Sequence, residues 1–247
     1  MTYSIIIPTK NEEASIDYLL NQVQALSDDI LILDNASQDA TLKIAQKYNI
    51  RIIPCLQNGK GYALRLGLTH AKHPIVVFMD ADGSHSADDI PKLVEPILHN
   101  QADMVIGSRM LGGSDELFNN FKEVFRLIGN LLTTSIIRHL YQHPLTDCHN
   151  GFRAIKTDVA KDLHLQENRF SIEQEMVLKC LALGYRIQEI PSHEYKRKGG
   201  VSKLRSSKEL FDFISSFIKI LFWCAKNKKK HQQSREHQPP HISKITT

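Results

Sequence analysis

The chain has 247 residues, a formal net charge of +4 and 42% hydrophobic residues. That is enough apolar content for a sizeable core in one large domain, and no run approaches the ~20 apolar residues of a membrane-spanning helix. The excess charge is local: Lys226 to Thr247 carry six Lys/Arg against one Glu, so the rest is close to neutral and a nucleic-acid-binding body is excluded. Cys55, Cys148, Cys180 and Cys224 lie far apart with no Cys-x-x-Cys spacing. They read as reduced thiols rather than a disulfide frame or zinc site. Met1-Thr2-Tyr3-Ser4 leads directly into a strand, so no signal peptide is expected.

The first hundred residues alternate strand and helix patterns. Tyr3 to Pro8 reads as a strand, and Asn11-Glu12-Glu13 opens a helix to about Leu26. Ile30 to Leu33 is a strand ending at Asp34, and residues 37–41 cap a helix to about Tyr48. Arg51 to Cys55 is a strand and Gly61 to Ala71 a helix. Ile75 to Met79, short and apolar after Pro74, is a buried parallel strand that ends in Asp80-Ala81-Asp82. Ile90 to His99 is a helix, and Met104 to Ile106 a strand. This βαβα order predicts an α/β fold with a mostly parallel twisted sheet flanked by helices.

The character then changes. Leu117 to Tyr141 is long and amphipathic, with Phe118, Phe121, Phe125, Ile128 and Leu132 at helical spacing and burial against the sheet as one reading. Asp147 to Ile155 is a loop and strand, and Phe170 to Leu183 a helix stopped by Gly184. Arg186 to Pro191 is an edge strand, and residues 199–202 a mobile loop. Ser206 and Glu209 form a capping box for a last amphipathic helix, Ser207 to Ala225, with a narrow polar stripe. From Lys226 the tail is polar and expected to be disordered.

Two carboxylates one residue apart, delivered at a strand's carboxyl end, are hard oxygen ligands suited to Mg²⁺ or Mn²⁺ on a diphosphate. Three other strand ends bring polar residues to the same edge: Pro8-Thr9-Lys10-Asn11-Glu12, Asp34-Asn35-Ala36-Ser37-Gln38-Asp39 and Gly59-Lys60-Gly61. Neither a P-loop nor a Gly-x-Gly-x-x-Gly fingerprint is present.

In this order the motifs resemble glycosyltransferase family 2, whose fold is GT-A, and within it the dolichyl-phosphate mannose or glucose synthase branch. Asp80-Ala81-Asp82-Gly83-Ser84-His85, Gly107-Ser108-Arg109, Asp147-x₃-Gly151-Phe152-Arg153, Glu189-Ile190-Pro191, and Arg197 with Gly200-x-Ser202-Lys203-Leu204 carry the likeness to about residue 204. The resemblance implies a GT-A catalytic domain over 1–205, with a nucleotide-sugar half to 110 and an acceptor half beyond. Residues 206–226 would follow as a membrane-interface helix and 227–247 as the tail.

The resemblance also implies roles. Pro8, Lys10 and Glu12 would line the nucleoside pocket, with Leu33 and Asn35 beside the base and Lys60 among the donor contacts. Asp80 and Asp82 would hold Mg²⁺ or Mn²⁺ on a nucleoside-diphosphate sugar, with the backbone of Ala81 and the side chain of Ser84 nearby. Arg197 and Lys203 would neutralise the leaving diphosphate, in keeping with the need to stabilise departing phosphate charge. Three positions depart from the family pattern: Lys10 replaces a tyrosine, Asn35 an aspartate and Ser84 a glutamine.

The Gln-x-x-Arg-Trp motif of relatives that activate a hydroxyl is absent. A lipid phosphate is already anionic and needs little proton removal, so the absence fits a polyprenyl-phosphate acceptor. Arg109, Arg126 and Arg153 are candidate phosphate partners, since the planar fork suits phosphate. Glu173 and Glu175 are expected to orient the late loop. Lys226 and Lys228 to Lys230 follow the last helix, as expected beside anionic lipid on the cytosolic face. A membrane-protein partner or homo-oligomer is compatible with the same helix. The rival readings are transfer to a soluble or saccharide hydroxyl, a non-catalytic sugar-nucleotide-binding module, and a membrane-associated scaffold.

Overall fold

The structure, a computed structural model, describes residues 2–116, 121–199 and 207–236, excepting the side chains at 121–126, 207–212 and 228–236. Its strands are β1 (Tyr3–Thr9), β2 (Ile30–Asp34), β3 (Arg51–Pro54), β4 (Ile75–Phe78), β5 (Met104–Ser108), β6 (Arg153–Lys156) and β7 (Ile187–Pro191). The first helices are α1 (Ile16–Val23), α2 (Thr41–Ala45), α3 (Lys60–His70), α4 (Ile90–Leu98) and α5 (Arg109–Gly112). After them come α6 (Phe121–Tyr141), α7 (Thr157–Asp162), α8 (Ile172–Ala182) and α9 (Ser207–Glu236). The helix expected from Asn11 starts only at Ile16, because residues 11–13 are bonded instead to the loop after β2.

The strands form one sheet in the order β3-β2-β1-β4-β6-β5-β7. Strands β1 to β4 are mutually parallel where paired, and β7 is an edge strand parallel to β5, as the sequence pattern predicts. Strand β6 runs antiparallel to both β4 and β5. Its first residue, Arg153, sits opposite Phe78 and Ile106. The loop before β6 therefore lies at the same edge as the loops after the other strands. The chain extends outward from β1 through β2 and β3, then returns to place β4 on the other side of β1. That reversal is the switch point where open α/β sheets form their crevice.

Helices cover both faces, which is why the strands read as continuous apolar runs. Ile5 and Ile7 of β1 join Ile16, Leu19 and Leu20 of α1 and Leu93 of α4 in one core. Ile6 joins Leu64 and Leu68 of α3, Met176 and Val177 of α8 and Ile220 of α9 in the other. All four cysteines are free, as expected.

Helices α6 and α9 differ from their sequence readings. From Ile128 onward α6 is inverted. It buries Asn130, Thr133, Thr134 and Ile137, while Ile128, Leu131, Leu132, Ile136 and Leu140 are 45–61% exposed. Burial of the Ile128–Leu132 stripe against the sheet is therefore not observed; Phe118, Phe121 and Phe125 lie outside the described side chains. Helix α9 buries Phe217, Ile220 and Cys224 against the core beneath α8, with Leu221 and Trp223 alongside. Ile214, Ile218 and Phe222 remain on its outer face. It continues past the expected end at Ala225 to Glu236, so the tail reading begins too early. The capping box falls on Ser206, outside the described residues.

Candidate active site

The first two motif loops are bonded to each other. Asn11 holds a left-handed backbone (φ 52°), tolerated by asparagine. Its Oδ1 accepts from Gln38 N at 2.8 Å, and its N–H donates to Ser37 Oγ at 2.9 Å. Glu12 N donates to Thr41 Oγ1 at 2.7 Å, and Glu13 carboxylate accepts from Ala40 N at 2.9 Å. Asn35 Oδ1 accepts from Gly59 N at 3.1 Å, and Lys10 Nζ donates to Asn58 Oδ1 at 3.1 Å. The ends of β1 and β2 and the start of α3 thus form one braced rim.

Lys60, the first residue of α3, reaches under that rim. Its Nζ lies 2.6 Å from Asp80 Oδ1 and 2.8 Å from Glu173 Oε1 of α8. Those two carboxylates raise the Lys60 pKa against the opposing effect of burial. Gly151 lies against this pair. A Cβ there would be 2.6 Å from Lys60 Nζ and 2.8 Å from Asp80 Oδ2, so any larger residue would displace this pair. Asp82 accepts from Ser84 N (3.1 Å) and Ser84 Oγ (2.7 Å) through Oδ1. Its Oδ2 faces Arg197 at 3.4 Å, and Arg197 also approaches Glu116 at 3.5 Å. The segment carrying Arg197 lies along the turn after β4, with Tyr195 N donating to Ser84 O and Lys198 N to Asp82 O.

Next to this group stands a buried network. Arg109 donates to Asp147 through Nε (2.7 Å) and a second fork nitrogen (3.0 Å), with Glu194 at 3.4 Å. Burial raises the Asp147 pKa and Arg109 outweighs it, holding the carboxyl well below the usual range. Asn130 of α6 donates to Asp147 at 3.1 Å. Glu189 of β7 accepts from Thr146 N and Asp147 N, both at 2.8 Å, and fixes the loop.

Asp80 and Asp82 fit a Mg²⁺ or Mn²⁺ ion of the kind that keeps one or two carboxylates and takes the rest of its shell from phosphates and water. Both are hard oxygen donors; the Asp80 side chain is 30% exposed, and its Oδ2, which accepts from Lys60 Nζ at 2.9 Å, has no Cβ of Gly151 against it. Among the described residues no third His, Cys, Asp or Glu closes a ligand set around them.

The model of the family described as "Glycosyl transferase family 2" matches residues 4–164. The chain belongs to glycosyl transferase family 2. It is 30% identical over 225 residues to an uncharacterized protein of Methanocaldococcus jannaschii, covering 87% of this chain and 91% of that one. It is 29% identical to the dolichol-phosphate mannosyltransferase of Pyrococcus furiosus, covering 90% of this chain but 64% of that enzyme, under two thirds of its length. The undecaprenyl-phosphate mannosyltransferase of Micrococcus luteus is 30% identical, with 81% and 86% covered. Among solved structures, glucosyl-3-phosphoglycerate synthase of Mycobacterium tuberculosis with Mn²⁺, UDP and phosphoglyceric acid superposes with TM-score 0.69 at 21% identity, covering 90% and 78%. That likeness establishes the GT-A fold.

In this glycosyltransferase the expected residues separate into three groups. Pro8, Lys10, Glu12, Asn35, Lys60, Asp80, Asp82, Ser84 and Arg197 belong to the rim or the turn after β4, and Arg109 adjoins them. Leu33 does not by its side chain, which is fully buried in the α3–α8 core, so only its backbone is left to lie beside a base. Ala81 is buried, which leaves the expected contribution of its backbone untouched. Arg153 is 1% exposed, and its fork donates to the carbonyls of Asn150, Glu173 and Cys148. With those donors occupied it braces the loop and is not a phosphate partner. Glu175 accepts from Gln166 N and Glu167 N, and Glu173 pairs with Lys60; among the described residues neither meets the late loop. Lys203 and the Arg126 side chain lie outside the described residues. Asp147, Gly151 and Glu189 were visible only as motif letters. Glu116 and Glu194 carry no local sequence signal.

Proposed function

We propose that the chain is a metal-dependent, inverting glycosyltransferase that moves a hexose from a nucleoside-diphosphate sugar, GDP-mannose or UDP-glucose in type, to a polyprenyl phosphate. Asp80 and Asp82 would hold the ion, which when bound neutralises the departing diphosphate. Arg197, resting 3.4 Å from Asp82, is placed to turn toward the same charge, with Lys203 following on that segment. Pro8, Lys10, Glu12 and Asn35 would meet the nucleoside on the braced rim. The acceptor phosphate oxygen bonds to the anomeric carbon as the bond to the diphosphate breaks. No general base is required, and Asp147 is occupied by Arg109 and Asn130.

The observation that carries the lipid acceptor is the inverted helix α6. It anchors to Asp147 through buried Asn130 and turns five large apolar side chains outward. Ile214, Ile218 and Phe222 of α9 are exposed as well, and Lys226 and the lysines at 228–230 follow them in sequence. No helix among the described residues is long and apolar enough to cross a membrane. The proposal is reversible attachment to the cytosolic face. Each outer side chain of α9 contributes about 1.5–3 kcal/mol on burial and each nearby lysine about 1 kcal/mol. The relatives named as dolichol- and undecaprenyl-phosphate mannosyltransferases support the same reading.

The test is incubation with Mn²⁺ and a panel of UDP- and GDP-sugars, with and without polyprenyl phosphate. Product only with the lipid phosphate is expected. Product on a soluble hydroxyl acceptor instead, or no product with any donor, overturns the proposal.

A further inference from the structure

Asp80 and Asp82 each face a cation, Lys60 at 2.6 Å and Arg197 at 3.4 Å. Two such cations would cancel two carboxylates and leave a divalent ion little to bind. Each cation is, however, shared with a second acid: Arg197 with Glu116 at the surface, and Lys60 with Glu173 in the interior. Glu173 is 3% exposed. Neither of its oxygens has a hydrogen-bond partner among the described residues apart from the Lys60 ion pair. Arg153, packed close by, donates to the Glu173 backbone carbonyl, and no bond from it to the carboxylate is found among the described residues. Burying a carboxylate with so little support costs stability. Lys60 is pinned in return: Gly61 backs onto the carbonyls of Glu167 and Arg169, and Gly151 blocks the far side.

We infer that Glu173 is a positioning residue: its charge offsets Lys60, keeps Asp80 available to a divalent ion, and so sets the balance between ion and diphosphate affinity at this site. The inference rests on the proposed function, because it takes the ligands to be a divalent cation and a nucleoside diphosphate. With Glu173 present, Lys60 and Glu173 sum to zero and Asp80 keeps its negative charge. Without it, Lys60 faces Asp80 alone and the group is one charge more positive, which disfavours a cation and favours a phosphate. The two affinities should then move in opposite directions, which loss of packing would not produce.

The experiment measures binding of Mn²⁺ alone, and of UDP and GDP alone without metal, by calorimetry on the full chain. In Glu173→Gln, Mn²⁺ binding should weaken and metal-free nucleotide binding should tighten, each by about tenfold or more, the usual weight of one charge at this distance. Glu173→Asp should restore both toward wild type. Lys60→Gln should give the mirror image, and Lys60→Gln combined with Glu173→Gln, which removes the pair at no change in net charge, should return both affinities toward wild type and decides the matter if Glu173→Gln alone does not fold. Affinities that fall together, or that stay unchanged, overturn the inference. If the wild-type chain binds neither Mn²⁺ nor nucleotide, the proposed function fails first; if it binds both and the variants do not diverge, only the role of Glu173 fails.

Discussion

The two edges of the sheet use the same residue type in opposite ways. At the amino edge, Asp29 accepts from Ser4 Oγ, Arg51 Nε (3.0 Å) and Lys72 N (2.9 Å). Asp103 is held there by Arg186, through Nε at 3.1 Å and backbone N at 2.9 Å, and by Lys156 at 2.9 Å. Those carboxylates are fully committed and clamp the starts of β2, β5 and β7. At the carboxyl edge, Asp80 and Asp82 rest against cations that are divided among other acids. A closed set of partners stabilises a fold; a shared partner can be released to a ligand.

The largest effect should come from the carboxyl edge. Asp82→Ala is expected to lower sugar transfer about 10³-fold or more while leaving the melting temperature almost unchanged, as read by product formation and a thermal melt. Full turnover in that variant with chelator present would erase the functional half of the contrast. At the amino edge the order reverses. Asp29→Asn should cost about 2–3 kcal/mol in urea unfolding, near the low end for breaking a buried pair because Arg51 is part exposed. Its activity at a temperature where it is folded should match wild type.

Acid separates the edges by pH window. His149, in the loop before β6, packs edge-on against Phe213, and burial lowers its pKa to about 4. Above about pH 6.5 it is neutral folded and unfolded and contributes nothing. As pH falls from there toward 4 only the unfolded state binds the proton, so stability declines by up to about 1.4 kcal/mol per pH unit. At the amino edge burial raises the Asp29 pKa, but Ser4, Lys72 N–H and Arg51 outweigh it and lower it overall. Its contribution is therefore complete above the ordinary carboxyl range and is lost only below about pH 4. Subtracting the His149→Asn stability curve from wild type should leave a slope between pH 6.5 and 4 and none above.

The smallest change in stability should come from the surface of α9. Phe222 is 74% exposed, so Phe222→Asp should stay within about 0.5 kcal/mol of wild type and leave both edges intact, yet weaken flotation with anionic liposomes. Undiminished flotation would separate the outer stripe from lipid.

The alternating strands and the Asp80-Ala81-Asp82 turn were legible because buried parallel strands and strand-end acids leave local patterns. Strand β6 was legible as a strand but not as antiparallel, since orientation depends on which neighbours it enters between. Leu33 was misplaced because proximity to the edge concerns its backbone, while its side chain follows the strand's alternation into the core. For Arg153 the residue type suggested a phosphate partner; three carbonyls distant in sequence or hidden by the fold decide otherwise. The stripe on α6 was found, but periodicity says only that a helix has two faces. Asn130 and Thr134, which hydrogen bond inward, determine which face is buried.

The insertion of β6 between β4 and β5 also has a kinetic consequence. Strands β1 to β4 can zip together in chain order, each joined by a short crossover. The turn after β4 then exists, but β4 is an unpaired apolar edge until a strand from far along the chain reaches it. Pairings of such long sequence separation form slowly, and waiting edges invite association with other chains. Gly151 arrives beside Asp80 only with that strand. A chain halted at this stage would hold most of its sheet and both carboxylates of the turn while lacking the loop that completes their surroundings. Recovery of ligand binding during refolding should therefore lag behind recovery of secondary structure.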